Sequence, residues 1–263
     1  MYLETAIEAA RLGAGILLEH IDSEEKSHVS QKQQFDFVTE VDHLAEKSLI
    51  EFIHKRHPKH DILAEESGRQ FSDSEFQWII DPLDGTKNYI HGIPAFAVSV
   101  ALRKSGEIIA GAISDPSRDE IFYADKGGGA FLNGKAISVT DTTDFSKCLL
   151  ATGFPFRAKH LIQPYLGAFK VLFERISDFR RAGAAALDLA YVAAGRLDGF
   201  WEVGLNIWDI AAGALVVEEA GGKVSDLFGE DSHLNTGNIV ASNNRIHEEI
   251  LEPFAAAFGD ILQ

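Results

Sequence analysis

Asp81 and Asp84, three positions apart at the end of an apolar run, are the residues of this chain with the clearest capacity for chemistry. Their segment reads Trp78-Ile79-Ile80-Asp81-Pro82-Leu83-Asp84-Gly85-Thr86-Lys87-Asn88-Tyr89. The apolar triplet predicts a buried strand, and Gly85-Thr86 can open a helix. Two carboxylates at one strand end offer oxygen ligands to a hard cation such as Mg²⁺. Backbone N–H groups at the start of the following helix would face the same point and favour an anion. Metal ligands and a phosphate cradle in one turn imply Mg²⁺-assisted phosphate chemistry.

Two further carboxylates fall where the chain changes element. Glu65 follows the short apolar run Ile62-Leu63-Ala64, and Asp209 opens the helical stretch Ile210 to Ala220. Singly, each acid has a plainer role: Asp209 can stabilise a helix N-terminus, Asp84 can be a turn residue, and Glu65 with Glu66 can be a solvated pair. Together they suit Mg²⁺, which takes several oxygen ligands and keeps waters and substrate phosphate. A bridging Asp81, with Glu65 on one side and Asp84 and Asp209 on the other, could hold two ions. Two ions roughly 4 Å apart can activate a water and stabilise the leaving oxygen of an in-line displacement. Asp42 and Thr86 form a second pair, in which the carboxylate accepts the Thr86 proton and aims that oxygen at the reacting water. Asp42 can equally cap the helix it begins, and spacing alone does not separate the two readings.

These groups need elements to hold them. Leu3, Ile7, Ala10, Ala14, Leu17 and Ile21 recur at helical spacing and predict an amphipathic first helix. Residues 22 to 36 are polar and read as a mobile connection. A second helix is expected from Asp42 to about His57, with Pro58 just beyond. Phe96, Val98, Val100 and Leu102 alternate with smaller or polar residues, a strand pattern that continues over 108–113 and 120–124. Phe131-Leu132-Asn133-Gly134 adds a hairpin signal, so this region is expected to be an antiparallel meander. Gly127-Gly128-Gly129 lacks the Lys-Ser/Thr ending of a phosphate loop and reads as a hairpin turn. From about residue 148, helices over 161–173, 184–194, 210–220 and 248–258 alternate with strands over 199–201, 223–225 and 238–240. With no linker and no repeat, the expected class is α/β (α+β). Residues 1–145 form an N-terminal half and 146–263 a C-terminal half, packed as one catalytic unit.

The composition narrows the partners. A net charge of −16 argues against a broad surface for nucleic acid or anionic membrane, and it would repel an anionic substrate unless metal ions reverse the local sign. Cys148 is the single cysteine, which removes disulfides and thiolate clusters and reads as a buried structural thiol. Glu4, Glu8 and Arg11 interrupt any leader-like apolar stretch, and no run has the length of a membrane span, so a cytoplasmic protein is expected. His54, His57 and His60 lie among lysines and arginines, with Pro58 breaking the helix, and are expected on a solvated surface without a metal. No Ser-His-Asp or Cys-His arrangement stands out, and Gly-x-Ser-x-Gly is absent.

Five segments, in order, resemble motifs of the inositol monophosphatase family. They are Asp36-Phe37-Val38-Thr39-Glu40-Val41-Asp42, Glu65-Glu66-Ser67, Asp81-Pro82-Leu83-Asp84-Gly85-Thr86, Thr152-Gly153-Phe154-Pro155-Phe156, and Trp208-Asp209-Ile210-Ala211-Ala212-Gly213 running on to Glu218-Glu219-Ala220-Gly221-Gly222. The likeness spans about Lys32 to Val240, and residues 179–199 look most like the bacterial branch. The resemblance implies a layered α-β-α-β-α sandwich, Mg²⁺ dependence with two or three ions (Mn²⁺ as a substitute), lithium sensitivity and a homodimer. It implies metal ligation by Glu65, Asp81, the Leu83 carbonyl, Asp84 and Asp209. Glu65, Thr86 and Asp42 would activate the nucleophilic water, and the Gly85 and Thr86 N–H groups would hold the phosphate. Asp84, Gly183, Ala185, Glu202 and Asp209 would meet the polyol, while Lys32 and Arg180 match basic positions near the site or the subunit interface. Ala184 stands where the family often has Ser or Thr, and Lys87 where Thr is usual; both departures bear on substrate preference.

The implied reaction is hydrolysis of myo-inositol 1-phosphate, a small polyol phosphate, with no nucleic-acid or membrane partner. Fructose 1,6-bisphosphate, a 3′-phosphonucleotide and histidinol phosphate are alternative substrates that the carboxylates do not distinguish. A non-catalytic regulatory protein on the same scaffold is the competing class.

Overall fold

Small residues on one face of the first helix let it lie close against a sheet. In α1 (Tyr2–Glu19), Ala6, Ala9, Ala10, Gly13 and Ala14 are buried together with Leu17. A Cβ at Gly13 would stand 3.0 Å from a methyl of Val98, so the helix and the strand beneath it are already in contact. The computed structural model describes residues 1–23, 29–33, 36–70 and 74–262.

After α1 come β1 (Val29–Gln33), β2 (Asp36–Thr39), α2 (Glu40–Arg56), β3 (Asp61–Ala64), β4 (Gly68–Gln70), β5 (Phe76–Asp84) and α3 (Thr86–His91). The meander β6 (Ala97–Lys104), β7 (Glu107–Asp115), β8 (Glu120–Asp125), β9 (Ala130–Leu132) and β10 (Lys135–Ala136) follows. The C-terminal half runs β11 (Leu149–Thr152), α4 (Ile162–Phe173), β12 (Asp178–Arg180), α5 (Ala185–Ala193), β13 (Gly199–Glu202) and α6 (Ile207–Glu219). It ends with β14 (Lys223–Ser225), α7 (His233–Thr236), β15 (Ile239–Ser242) and α8 (His247–Leu262).

The strands form an eight-stranded sheet in the order β10-β9-β8-β7-β6-β5-β3-β4 and a five-stranded sheet in the order β12-β11-β13-β15-β14. In the larger sheet β3 and β5 run parallel and the other neighbours antiparallel. Helices α1 and α2 cover its outer face, and α6, paired with α5, packs on β5 to β8 from the other side. The same two helices touch β13, β14 and β15, so they form the middle layer between the sheets. Outside the smaller sheet α4 packs on α8, which also packs on β15. The observed layers are therefore α-β-α-β-α.

Strand β6 shows how the pattern writes the layers. Val98, Val100 and Leu102 join the cluster under α1 and α2, while Ala97 and Ala101 join the one around α5 and α6. The small side of the strand meets the middle helices. Gly111 on β7 extends this: a Cβ there would lie 3.0 Å from the Ala212 Cα of α6. A third cluster, with Tyr165, Trp201, Phe254 and Phe258, seals the outer face of the smaller sheet. Full burial of such a side chain is worth roughly 1.5–3 kcal/mol relative to exposure.

Three expectations are corrected. Within residues 22–36, Val29–Gln33 pairs antiparallel with Asp36–Thr39 instead of forming an irregular connection, and residues 24–28 and 34–35 lie outside the described residues. His57 is buried, not solvated: its ring stacks 4.8 Å from that of His60 and packs beside Tyr2 and Trp78. The turn after Pro58 brings His60 back onto Phe76 and Trp78, so the rings supply apolar contact in place of water. The helices at Asp42 and Asp209 start earlier than expected, at Glu40 and Ile207, because Thr39 and Asn206 are the cap residues. Gly127 and Gly129, in the turn between β8 and β9, donate their N–H groups to the Glu219 carboxylate at 2.7 and 2.8 Å.

Candidate active site

Strand side chains alternate, so residues three apart point to opposite faces. Asp81 and Asp84 escape this because the register of β5 against β6 slips between them, at Pro82, which has no N–H to give the ladder. The slip turns both carboxylates into one cleft, where Asp209 at the start of α6 joins them. Each of the three offers an oxygen within 4.8 Å of the others. Glu65 arrives from the neighbouring strand: its N–H donates to Ile80 O at 3.2 Å, continuing the parallel pairing past the end of β3. The turn beyond is clamped by Glu46 of α2, which accepts from the N–H groups of Glu66 and Ser67 at 2.7 and 2.9 Å.

Backbone donors fix the three aspartates. Leu83 N–H donates to Asp81 Oδ1 at 2.9 Å, Ala186 N–H to Asp84 Oδ2 at 2.7 Å, and Asn206 N–H to Asp209 Oδ2 at 2.7 Å. Asp81 Oδ2, fully buried, finds no donor. Its polar neighbours are the carboxyl groups of Glu65 and Asp209, and two carboxyl oxygens share a hydrogen bond only when one of them carries a proton. Burial, followed by Glu65, Asp84 and Asp209, pushes the Asp81 carboxyl well above its ordinary range. Burial and Asp209 do the same to Asp84, against the opposing Ala186 N–H. Asp209 is pushed up to about 6 by burial, with Arg157 opposing. Glu202 is raised to about 8 by burial, with Arg181 opposing.

Clustered acids with depressed acidity must bind protons or a cation. The donor set is all oxygen, the choice of a hard ion, and the buried Asp81 oxygen without a donor could serve as a ligand atom. The residues present therefore fit Mg²⁺.

Asp42 closes the cap of α2 and also accepts from the Thr86 hydroxyl. Its Oδ2 accepts from Thr39 N–H at 2.9 Å and Thr39 Oγ1 at 2.5 Å, the capping box of α2, in which Thr39 is the cap. Its Oδ1 lies 3.3 Å from Thr86 Oγ1, whose proton is shared between that oxygen and Leu83 O at 3.1 Å.

The cleft, about 260 Å³, is lined by Glu65, Asp81, Leu83, Asp84, Gly85, Thr86, Gly183, Ala185, Glu202 and Asp209 from the sequence reading. Asp42 stands behind Thr86, buried. Glu202 reaches the cleft from β13 past Gly153, where a Cβ would collide with its carboxyl group at 2.0 Å. Gly183 is tied in by Asn88, whose Nδ2 donates to Ala95 O at 2.6 Å and Ala182 O at 2.9 Å. Ala184 is buried against Gly85.

Arg180 is not in the cleft. It sits on the edge strand β12, largely exposed, with Nη1 on Asp178 Oδ2 at 2.7 Å; the next residue, Arg181, lines the cleft instead. Strand alternation sends adjacent side chains to opposite sides, and a three-residue edge strand gave no periodicity from which to read which side. Lys32 lies in β1, its side chain outside the described residues. Lys87 does face the cleft, its Nζ 3.9 Å from the Phe156 ring centre. Arg157 and the rings of Phe37, Phe154 and Phe156 also line it. Arg157 directly follows a segment already singled out, and the convergence of strand ends β11 and β13 on the cleft was the signal that could have found it.

Fold and site together define a layered α/β protein with a buried cluster of carboxylates that could hold a cation at the base of a cleft. The family model described as Inositol monophosphatase family matches residues 1–258, and the chain belongs to that family. The family is one of Mg²⁺-dependent phosphatases acting on phosphorylated small molecules. Among curated relatives, Nus factor SuhB of Escherichia coli (strain K12) is 46% identical over 262 residues, covering 99% of this chain and 98% of that protein. Nus factor SuhB of Pseudomonas aeruginosa is 44% identical over 254 residues, covering 95% and 94%. Among solved structures, the extragenic suppressor protein suhB of Bartonella henselae superposes with a TM-score of 0.92 at 41% identity, covering 96% of this chain and 98% of that one. The IMPase of Thermotoga maritima superposes with a TM-score of 0.89 at 35% identity, covering 99% of each. Among the described residues, no helix is long and apolar enough to cross a membrane.

Proposed function

We propose that this protein is a Mg²⁺-dependent phosphomonoesterase acting on myo-inositol 1-phosphate or a similar polyol phosphate. The observation that carries the reading is the trio Asp81, Asp84 and Asp209, with oxygens within 4.8 Å and the buried Asp81 Oδ2 lacking any donor. Glu65, Asp81, the Leu83 carbonyl, Asp84 and Asp209 would hold the ions. When bound, Mg²⁺ supplies positive charge that polarises the phosphoryl group and lowers the pKa of a water.

The chain's own groups do the rest. Thr86 Oγ1, whose proton is shared by Asp42 Oδ1 and Leu83 O, would offer a lone pair to the attacking water, and Glu65 would help to orient that water. The N–H groups of Gly85 and Thr86 grip the phosphate. Asp84, Gly183, Ala185, Glu202 and Asp209 contact the alcohol, and Arg181 takes the basic position first assigned to Arg180. Residues 1–145 and 146–263 act as halves of one catalytic unit, the first giving Glu65, Asp81 and Asp84, the second Asp209 and Glu202. We also infer a homodimer: Ile162, Leu166 and Phe173 leave α4 with an exposed apolar face beside the edge strand β12, onto which Phe169 packs through Phe179. Sedimentation at micromolar concentration tests it, and a purely monomeric boundary refutes it.

The name Nus factor carried by the curated relatives supports a second reading, an interaction protein on the same scaffold. A panel of myo-inositol 1-phosphate, fructose 1,6-bisphosphate, a 3′-phosphonucleotide and histidinol phosphate, assayed for phosphate release at saturating Mg²⁺, separates the readings. The highest kcat/KM is expected for myo-inositol 1-phosphate. A higher value for another member changes the substrate; no release from any member, with Mg²⁺ or Mn²⁺, puts the second reading first.

A further inference from the structure

Arg157 brings a positive charge into the acidic centre. Its Nη1 lies 3.6 Å from Asp209 Oδ2 and its Nη2 3.9 Å from Glu65 Oε1. Both separations exceed hydrogen-bond length, so the pairing with these two carboxylates is one of charge. The guanidinium stands 4.7 Å from the centre of the Phe156 ring, and the side chain is about a quarter exposed, at 27%. It is thus tethered at the cleft wall on a partly open side chain. Glu65 follows β3, Asp209 belongs to α6, and Arg157 follows β11, so the guanidinium links both halves of the chain through two groups that a divalent ion would need.

We propose that Arg157 is a tethered counter-cation. It competes with a divalent ion for Glu65 and Asp209, and it turns to the phosphate when the ion takes those carboxylates. This rests on the metal-dependent phosphatase reading. A guanidinium presents the same planar fork to carboxylate and phosphate oxygens, so phosphate offers it an equivalent partner across the same cleft. With no phosphate present, an ion entering the site must take Glu65 and Asp209 from Arg157. With phosphate present that penalty falls away. Cation and phosphate therefore bind cooperatively, each raising the affinity of the other by the same factor. Arg157 is on this view a positioning residue that couples the two ligands.

The test is calorimetric titration of Mg²⁺ into the full chain, with and without saturating inorganic phosphate, for wild type, Arg157→Gln and Arg157→Lys. Without phosphate, R157Q is expected to bind Mg²⁺ roughly threefold to tenfold more tightly than wild type, the range for loss of partly exposed charge pairs. R157K, which keeps the charge, is expected to stay near wild type. Phosphate is expected to raise the Mg²⁺ affinity of the wild type and to have little such effect in R157Q. If R157Q does not fold, Arg157→Met, apolar and of similar reach, is measured in its place. Mg²⁺ affinity unchanged or weaker in the uncharged variant, with phosphate still enhancing it as in wild type, overturns the role of Arg157 alone. A wild type that binds no Mg²⁺ overturns the phosphatase reading and this proposal together.

Discussion

Thr86 and Asp42 share one hydrogen bond but differ in what else they hold, and that difference separates chemistry from folding. Thr86→Ala is expected to lower kcat by about 10²–10⁴, the usual range for loss of a proton-transfer group, with Tm unchanged. Asp42→Ala should match it in kcat and also lose about 1 kcal/mol of stability, because Asp42 Oδ2 closes the capping box of α2. The double variant should be no slower than either single one, since the two act as a unit. Steady-state kinetics with urea unfolding of all three proteins checks this. At the other wall, Arg181→Ala should raise KM by roughly threefold to tenfold through loss of a charge-assisted contact, whereas Arg180→Ala should leave kcat and KM unchanged.

Elements set the site by how closely they approach. Gly85 has φ +87°, and a Cβ there would lie 2.8 Å from Ala95 O. Gly85→Ala is therefore expected to destabilise the protein by about 1–3 kcal/mol, the range for side chains forced into such backbone, and to misplace Asp84 and Thr86. Gly213 lets α6 touch α5, since a Cβ would meet Leu189 Cβ at 2.6 Å. Gly213→Val should cost about 1–3 kcal/mol by overpacking and reduce kcat by shifting Asp209 on the same helix. Thermal melts beside kinetics test both. The strands and helices that build the layers were legible because their apolar residues keep period over many positions, as in α1 and β6. Glu65, Asp81, Asp84 and Asp209 were legible because each stands where such a pattern begins or ends. The three-residue β12 and the β1–β2 pair were not, since their short polar sequences carry no buried periodicity. Arg157 and Arg181 were missed because single cations just beyond strand ends look like solvated surface until the neighbouring ends are known. His57 was misread because the apolar contacts that bury it come from Tyr2 and Trp78, distant in sequence.

At the scale of the molecule, two sets of buried groups pull stability in opposite directions with pH. Burial pushes His247, between Ser225 and Ser242, down to about 4 from 6.5. Between those values the unfolded chain takes up a proton that the folded one refuses, so this contribution is present above pH 6.5 and is lost as pH falls. His57, His60 and His233 are lowered too and have the same sign. The cleft acids behave oppositely. Glu202, raised to about 8 from 4.5, and Asp209, raised to about 6 from 3.8, bind protons in the folded chain that the unfolded one releases. Their contribution is complete below the ordinary carboxylate range and is lost as pH rises through the raised values. In EDTA, Tm should therefore peak on the mildly acidic side of neutrality. Because Mg²⁺ competes with protons for the carboxylates, its addition should raise Tm more near pH 8 than near pH 5.5; an equal gain at both would contradict this. The most direct measurement of function is phosphate release from myo-inositol 1-phosphate against Mg²⁺ concentration, for wild type and for Asp81→Asn. Saturable Mg²⁺-dependent turnover is expected in the wild type. A loss of at least about 10³-fold is expected in the variant, whose fold is retained because an amide relieves buried charge repulsion. Turnover that ignores Mg²⁺, or a folded Asp81→Asn protein that keeps near-normal activity, would overturn the assignment of this cleft as a metal-dependent phosphatase centre.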